Sequence, residues 1–421
     1  MTMNRHTSQT ILQNRGKPYN VTSMNSQKRR VVCGMSGGVD SSATAALLLE
    51  QGYDVIGITL KLWPQDCVNR AEDKCCGPQA VTDARAVCHE LGIPYYLIDE
   101  AAEFQKHVIR YFADEYKAGR TPNPCVMCNQ NLKFGRLIDR ANQLGADFIA
   151  TGHFARIEKV VGEQFSLSQR ERAGVRENRS DENLAASGSR MPCANFSGDS
   201  KVRYLLKRGL DLKKDQSYFL FSLRQDQLAR AHFPLGEKTK SDTRAVARHC
   251  RLKTADKEES MEICFVPDND YGGFLQQANL VQKHRGEIVD MRGQVLGHHD
   301  GIEFYTIGQR RGLGITTPEP VYVVELDVAN NRVIVGDGSA LERDEFVATN
   351  CNWIPFDALA APIEVTAKIR YNHPGTPATV TPSGNGHVKV KLHSPQRAIT
   401  PGQAAVFYQD DLVLGGGWIG R

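Results

Sequence analysis

Gly34-Met35-Ser36-Gly37-Gly38-Val39-Asp40-Ser41-Ser42 is the stretch on which the reading of this chain turns. Ahead of it stand Lys28, Arg29 and Arg30, then the β-branched pair Val31 and Val32; behind it runs Ala43 to Glu50, rich in alanine and leucine. That order predicts a strand, a Ser/Gly-rich turn and a helix in direct succession. Glycines in such a turn let backbone N–H groups approach an anion, and the helix N-terminus adds the positive end of its dipole. Ser36, Ser41 and Ser42 supply hydroxyl donors, and Asp40 is placed to hold a magnesium ion against a phosphate. An ordinary Gly-rich turn with an N-cap serine uses the same residue types, but the complete SGGxDSS string is more specific than that.

The commoner phosphate loops do not match. A Walker loop needs GxxxxGK[ST], and no lysine follows Gly38; a dinucleotide fingerprint needs GxGxxG, which is also absent. The string resembles the PP-loop of ATP pyrophosphatases. That resemblance implies ATP cleavage between the α and β phosphates, transfer of AMP to a substrate oxygen and release of pyrophosphate. Gly34, Met35, Ser36, Gly37, Gly38, Val39, Asp40 and Ser41 would then line the ATP site.

A chain of 421 residues predicts two or three domains. Its 41% hydrophobic and 24% charged content is that of a soluble globular protein, and no apolar run approaches the roughly 18 to 20 residues of a membrane span. Residues 1–28 lack an apolar core segment and read as a disordered extension without a secretory signal. Eleven cysteines, an odd number, argue against a secreted disulfide scaffold and for a reducing, cytoplasmic setting. The net charge of +4 permits a nucleic-acid partner without demanding one.

From Arg29 to about Ile157 strand and helix patterns alternate. Val55–Leu60, Tyr95–Ile98 and Phe148–Ala150 read as buried parallel strands, with helical stretches Gln79–Leu91, Phe104–Ala118 and Leu132–Leu144 between them. The pattern predicts a doubly wound α/β domain over 29–235, whose ligand sits at the carboxyl ends of the strands. Leu60 ends one strand near an expected adenine, and Gly152 and His153 follow another. Residues 163–200 are polar and aperiodic and read as a flexible surface insertion. Helical periodicity is expected through Leu228–His232 and Thr239–His249. A small central domain is expected over 236–316 and a C-terminal antiparallel β-barrel over 317–421, because short strands there alternate with turn signals such as Asn330-Asn331 and Gly415–Gly417.

Two cysteine contexts carry chemistry: Asn123-Pro124-Cys125-Val126-Met127-Cys128-Asn129 and Glu259-Ser260-Met261-Glu262-Ile263-Cys264-Phe265-Val266. The Cys125/Cys128 spacing suits zinc, but four ligands are needed and there is no second CxxC and no matching histidine pair. Cys67, Cys75 or Cys76 could complete a metal or iron–sulfur site; the expectation is no metal at these cysteines.

GMSGGVDSS, GRTPNPCVMCN, ATGHFAR, KDQSYFL, ESMEICFV, TIGQRRGLGI and TPGQAAVFY occur in this order. Together they resemble the tRNA-specific 2-thiouridylases, over about Arg29 to Arg421. The resemblance implies an enzyme that puts sulfur on the wobble uridine of certain tRNAs, using ATP with Mg2+ and no permanent prosthetic group. The C2 carbonyl oxygen of uracil is a poor leaving group, so AMP must be placed on it before a cysteine persulfide can deliver sulfur. By this resemblance Cys264 carries the persulfide. Cys128 attacks it to release sulfide or resolves it as a disulfide with Cys264. Thiolate character is needed at both. Asn123, Pro124 and Cys125 would contact the base. Lys214, Asp215, Gln216, His153, Arg370, Tyr371 and Gln403 would meet the tRNA, and Leu60 and Gly152 the ATP.

A cysteine desulfurase or a sulfur-relay protein is the implied donor, and a monomer with a basic face including Lys207, Arg208, Lys213, Arg310 and Arg311 is expected. One position departs from the pattern: the first residue of the CxxC is often Asp in that family, whereas Cys125 stands here. Two further readings remain at this point: an iron–sulfur-dependent PP-loop tRNA thiolase, and a tRNA-binding or sulfur-carrier protein without catalysis.

Overall fold

The computed structural model describes residues 28–62, 77–161, 202–258, 263–266 and 270–420. The expected 163–200 insertion, almost all of the 1–28 extension, and Cys67, Cys75 and Cys76 lie outside the described residues. Among the described residues no helix is long and apolar enough to cross a membrane.

The first sheet is parallel. β1 (Arg30–Gly34), β2 (Asp54–Lys61), β3 (Tyr95–Asp99), β4 (Phe148–Ala150) and the short edge strand β7 (Ala231–His232) lie in the order β3-β2-β1-β4-β7. β1 pairs with β2 on one side and β4 on the other, so the order reverses between β1 and β4. Val31 and Cys33 point into one apolar cluster with helices α1 (Val39–Glu50) and α2 (Pro78–Glu90), while Val32 points into a second cluster with Phe134, Leu137 and Ala141. Burial on both faces explains why β1 reads as an unbroken apolar run. α1 is buried on nearly its whole circumference, which its Ala/Leu composition permits. Gly52, at φ +87°, ends it.

Residues 231–232, expected as the end of a helical segment, form β7 instead. Two residues carry no readable period; their parallel pairing with Ile149 and Ala150 of β4 decides the matter.

The middle sheet has the order β10-β11-β8-β9, from β8 (Gly286–Asp290), β9 (Val295–His299), β10 (Tyr322–Asp327) and β11 (Arg332–Gly336). β10 and β11, placed by sequence at the start of the barrel, belong here, because β11 pairs in parallel with β8. They share an apolar cluster with Ile302, Tyr305 and Leu313.

The third sheet contains a closed antiparallel barrel of β12 (Glu342–Trp353), β13 (Ile363–Lys368), β14 (Thr376–Gly384), β15 (His387–Arg397), β16 (Ala404–Gln409) and β17 (Leu412–Ile419). β12 pairs with both β15 and β17, which removes the open edges. β5 (Ala155–Val161) and β6 (Val202–Arg208) leave the α/β unit and extend this same sheet beyond β17. The first and last parts of the chain are therefore hydrogen-bonded into one sheet.

Candidate active site at the carboxyl edge of the parallel sheet

The Gly34–Ser42 loop leaves β1 at the point where strand order reverses, the usual ligand position in such sheets. Its shape is fixed internally. The Met35 N–H donates to Ile58 O at 2.8 Å, and Thr59 Oγ1 donates to Met35 O at 2.7 Å. Ser36 N donates to Ser41 Oγ at 3.1 Å, while Ser41 Oγ and Ser42 Oγ donate to Gly38 O at 3.0 and 2.9 Å. Gly37 is required: its φ is +71°, and a Cβ there would lie 2.2 Å from Ala80 O.

Gly152, at the end of β4, approaches the first turn of α1. A Cβ on it would sit 2.8 Å from Asp40 Cβ and 3.0 Å from Ser41 N. The room that glycine creates is thus taken up by the loop itself. Next to it, His153 is buried between Phe134 and Phe233, with ring centroids 5.8 and 5.9 Å away, and Nδ1 lies 2.7 Å from Thr151 Oγ1. Burial, and then the charge of Lys133, hold its pKa well below the ordinary histidine value. The neutral ring is a buried hydrogen-bonding group in this structure.

Two lysines that sequence reasoning missed flank the loop. Lys240 Nζ meets Asp40 Oδ1 at 2.7 Å, and Lys257 Nζ meets Asp83 Oδ2 at 2.6 Å and Gly37 O at 3.3 Å. Single lysines in polar segments carry no sequence signal, and only the fold returns them to Asp40 and Gly37.

Asn123 caps the short Pro124–Cys128 helix, its Oδ1 accepting from Val126 N at 3.4 Å. Pro124 is buried and Cys125 half-buried. A π-helical segment, Asn129–Arg136, follows Cys128 directly. Such segments recur at functional sites. This one is tied down by Glu100, whose 2%-exposed carboxylate meets Arg136 at 2.9 Å and Arg140 at 2.8 Å. Asn129 Nδ2 donates to Phe219 O at 3.0 Å. From the barrel, Gln403 Nε2 reaches the carbonyls of Thr121 and Pro122, and Thr121 N donates to Pro401 O at 2.8 Å.

Cys128 belongs to an apolar cluster with Phe104, Phe112, Leu132, Phe265 and Phe274, and Cys264 packs against the same cluster. Leu60 packs against this cluster and also against the core beneath the sheet, so it bridges the cysteine region and the loop strand. Burial pushes the Cys125 thiol up, with Lys133 acting the other way. Cys88 and Cys351 are pushed up to about 12 by burial and behave as structural thiols. Among the described residues no group of three or more His, Cys, Asp or Glu could hold a metal.

The remaining candidates divide into two groups. Asp215 and Gln216 are anchors of their own loop: Asp215 accepts from Gly209 N, Ser217 N and Ser217 Oγ at 3.0–3.2 Å, and Gln216 Oε1 accepts from Phe154 N at 3.0 Å. Arg370 is exposed, Lys214 half-exposed, and Tyr371 lies 4.5 Å from the Phe219 ring. These three can face a large ligand, whereas Asp215 and Gln216 hold the backbone that carries Lys214.

Three family models cover the chain: a tRNA methyl transferase HUP domain over 29–268, a tRNA methyl transferase PRC-barrel domain over 273–337 and an aminomethyltransferase beta-barrel domain over 343–419. The chain is 46% identical over 393 residues, 93% of its length and 97% of the relative's, to the tRNA-specific 2-thiouridylase MnmA 1 of Caldanaerobacter subterraneus subsp. tengcongensis. It is 46% identical over 397 residues to the enzyme of that name (MnmA) from Geobacter metallireducens, covering 93% and 97% of the two chains. With the Symbiobacterium thermophilum protein the identity is 45% over 397 residues, covering 93% and 92%. Identity of this order along almost the full length of each partner places the chain in the tRNA-specific 2-thiouridylase family.

Proposed function

We propose that this protein is a sulfurtransferase that replaces the C2 oxygen of a tRNA wobble uridine with sulfur at the expense of ATP. The observation that carries the reading is the convergence of Cys128 and Cys264 on one cluster, which Leu60 joins to the strand behind the Gly34–Ser42 loop. An anion loop alone fits any PP-loop enzyme. An anion loop in one chain with two cysteines on a shared apolar cluster fits one that activates an oxygen and then displaces it with sulfur.

The loop would orient ATP through backbone N–H groups and the serine hydroxyls, with Gly34 to Ser41 and Leu60 around it. Asp40 offers one carboxylate oxygen set to a phosphate-bound Mg2+, which would neutralise phosphate charge there. The uracil C2 oxygen bonds to the α-phosphorus, the bond to the bridging oxygen breaks, and pyrophosphate leaves with that electron pair. The N3 proton passes to solvent, so that a neutral O-adenylyl base remains.

A persulfide on Cys264 then supplies sulfur in one of two balanced ways. Its terminal sulfur attacks C2 and AMP leaves; Cys128 thiolate next attacks Cys264 Sγ, forming the Cys128–Cys264 disulfide and freeing 2-thiouridine. Alternatively Cys128 attacks first, releasing sulfide that displaces AMP. Either way a thiol reductant must reopen the disulfide, and a sulfur donor must reload Cys264.

Asn123, Pro124 and Cys125 would border an unstacked base. Lys214, Arg370 and Tyr371 would meet the tRNA outside it, through phosphate contact and stacking. Gln403 acts by holding Thr121 and Pro122. The protein is assigned to the cytoplasm as a monomer, in the compartment where tRNA, ATP and a desulfurase-type donor meet.

The test is thiolation of a tRNA transcript with ATP and a sulfide source, with Cys128→Ser and Cys264→Ser beside wild type. Loss of 2-thiouridine in both variants supports the two-cysteine mechanism, and undiminished product in both would sink it.

A further inference from the structure

We propose that Lys240 and Lys257 are ligands of the ATP β- and γ-phosphates and of the pyrophosphate that leaves, held between turnovers by the carboxylates of Asp40 and Asp83. The proposal deepens the ATP-site reading given above and rests on it.

The two ammonium groups reach the loop from a single neighbouring region. Lys240 opens the Lys240–His249 helix, which packs with α1, and Lys257 follows that helix. Their targets bracket the loop: Asp40 is in the first turn of α1, and Gly37 O is the carbonyl just before the N-cap glycine. Asp83 comes from α2, whose Ala80 O touches Gly37. The side chains of Lys240 and Lys257 are only 12% and 23% exposed. Each ammonium group meets a carboxylate at 2.6–2.7 Å.

Among the described residues Lys240 is paired with Asp40 and Lys257 with Asp83. A metal-bound polyphosphate changes that pairing. Asp40 is the carboxylate available to the metal, and once it turns to the metal, Lys240 loses its Oδ1 partner. A phosphate oxygen in the adjoining loop restores one. Lys257, 3.3 Å from Gly37 O, exchanges a neutral carbonyl for a charged oxygen. The aspartates thus occupy the ammonium groups in the absence of nucleotide and hold them at the loop. Neither lysine falls within the SGGxDSS string, so the loop as a sequence pattern accounts for only part of the phosphate site.

The test is calorimetric binding of magnesium pyrophosphate and, separately, of AMP to the full chain. Variants are K240Q, K257Q, D83N and the exposed control K253Q. We expect pyrophosphate affinity to fall roughly tenfold or more in K240Q and K257Q, with AMP affinity and the K253Q control unchanged. D83N breaks the same ion pair as K257Q but leaves the ammonium in place, so it should keep pyrophosphate affinity. Unchanged pyrophosphate binding in both lysine variants overturns the proposal. So does an equal loss in D83N and K257Q, or an equal loss of AMP and pyrophosphate, since either marks a structural strut. If wild type binds neither pyrophosphate nor ATP, the ATP-site reading itself fails. If wild type binds them but thiolates no tRNA, only the acceptor is wrong and the lysines stand.

Discussion

The side-chain amide of Gln403 donates to the carbonyl oxygen of Pro122 at 3.2 Å, joining positions 281 residues apart. Through this bond and its companion to Thr121 at 3.4 Å, the barrel fixes the segment that leads into Cys125 and Cys128. Gln403→Ala should therefore lower the thiolation rate while leaving ATP binding unchanged. The stability cost should be about 1 kcal/mol, as for a half-buried hydrogen bond. Single-turnover thiolation beside nucleotide titration checks this. An equal loss in both would place the defect in the whole fold.

Gly152→Ala should damage the loop directly. The added methyl meets Asp40 Cβ at 2.8 Å and Ser41 N at 3.0 Å, both parts of a buried turn that cannot shift alone. Overpacking of this kind costs about 1–3 kcal/mol. ATP affinity should fall together with the melting temperature. A variant with wild-type affinity would mean that α1 moves freely at its N-terminus.

The proposed mechanism uses Cys128 and not Cys125, three positions before it. Burial raises the Cys125 thiol above the ordinary cysteine value against the opposing pull of Lys133, so it stays protonated at neutral pH. Cys125→Ser should retain at least half of wild-type thiolation at pH 7.5, and Cys128→Ser almost none. A Cys125→Ser variant as inactive as Cys128→Ser would exchange the two roles.

Stability should fall on the acid side through histidine. His153 has a folded pKa well below 6.5 because it is buried, so below about pH 6.5 the unfolded chain binds a proton that the folded chain refuses. The stabilisation is present above the unfolded value and is lost as pH drops toward the folded one. His232, His299 and His373 are also lowered, each mainly by burial, and add in the same direction. Urea midpoints measured from pH 7.5 to 5 should decline, and His153→Asn should decline less steeply. Parallel curves would remove His153 from the account.

Glu100→Gln should loosen the π-helical segment after Cys128. The carboxylate is 2% exposed, yet its partners Arg136 and Arg140 are 36% and 26% exposed. Water therefore replaces part of the lost pairing, and about 2 kcal/mol is expected instead of the larger penalty of a fully buried pair. Denaturant unfolding measures the loss, and the thiolation rate should fall with ATP binding intact.

Much of the parallel unit was legible because its signals are local. Val31–Gly34, Val55–Leu60 and Phe148–Ala150 are apolar runs, and Gly37 and Gly38 sit where only a turn can place them. The barrel was legible as alternation with turns. What escaped was pairing: Tyr322–Gly336 reads like any other hairpin, and only its bond to β8 assigns it to the middle sheet. Ala231–His232 is too short to carry a period. The site divided along the same line. Family resemblance marked Cys128 and Cys264. It also marked His153, Asp215 and Gln216, whose hydrogen bonds hold their own segments in place. Lys240 and Lys257 stayed invisible, because a lysine's partner 200 or 174 residues away leaves no trace nearby.

The shared sheet has a consequence for how the protein is born. β6 pairs with β17, Arg208 N donates to Asp411 O at 2.7 Å, and Tyr218 OH donates to Ala404 O at 2.9 Å. β17 is made long after β6. Until it emerges, β6 lacks its partner along that edge, and until Pro401 and Gln403 are made, Thr121 and Pro122 lack theirs. The α/β unit can collapse early, but the segment that leads into Cys125 and Cys128 is held only after the barrel has been made.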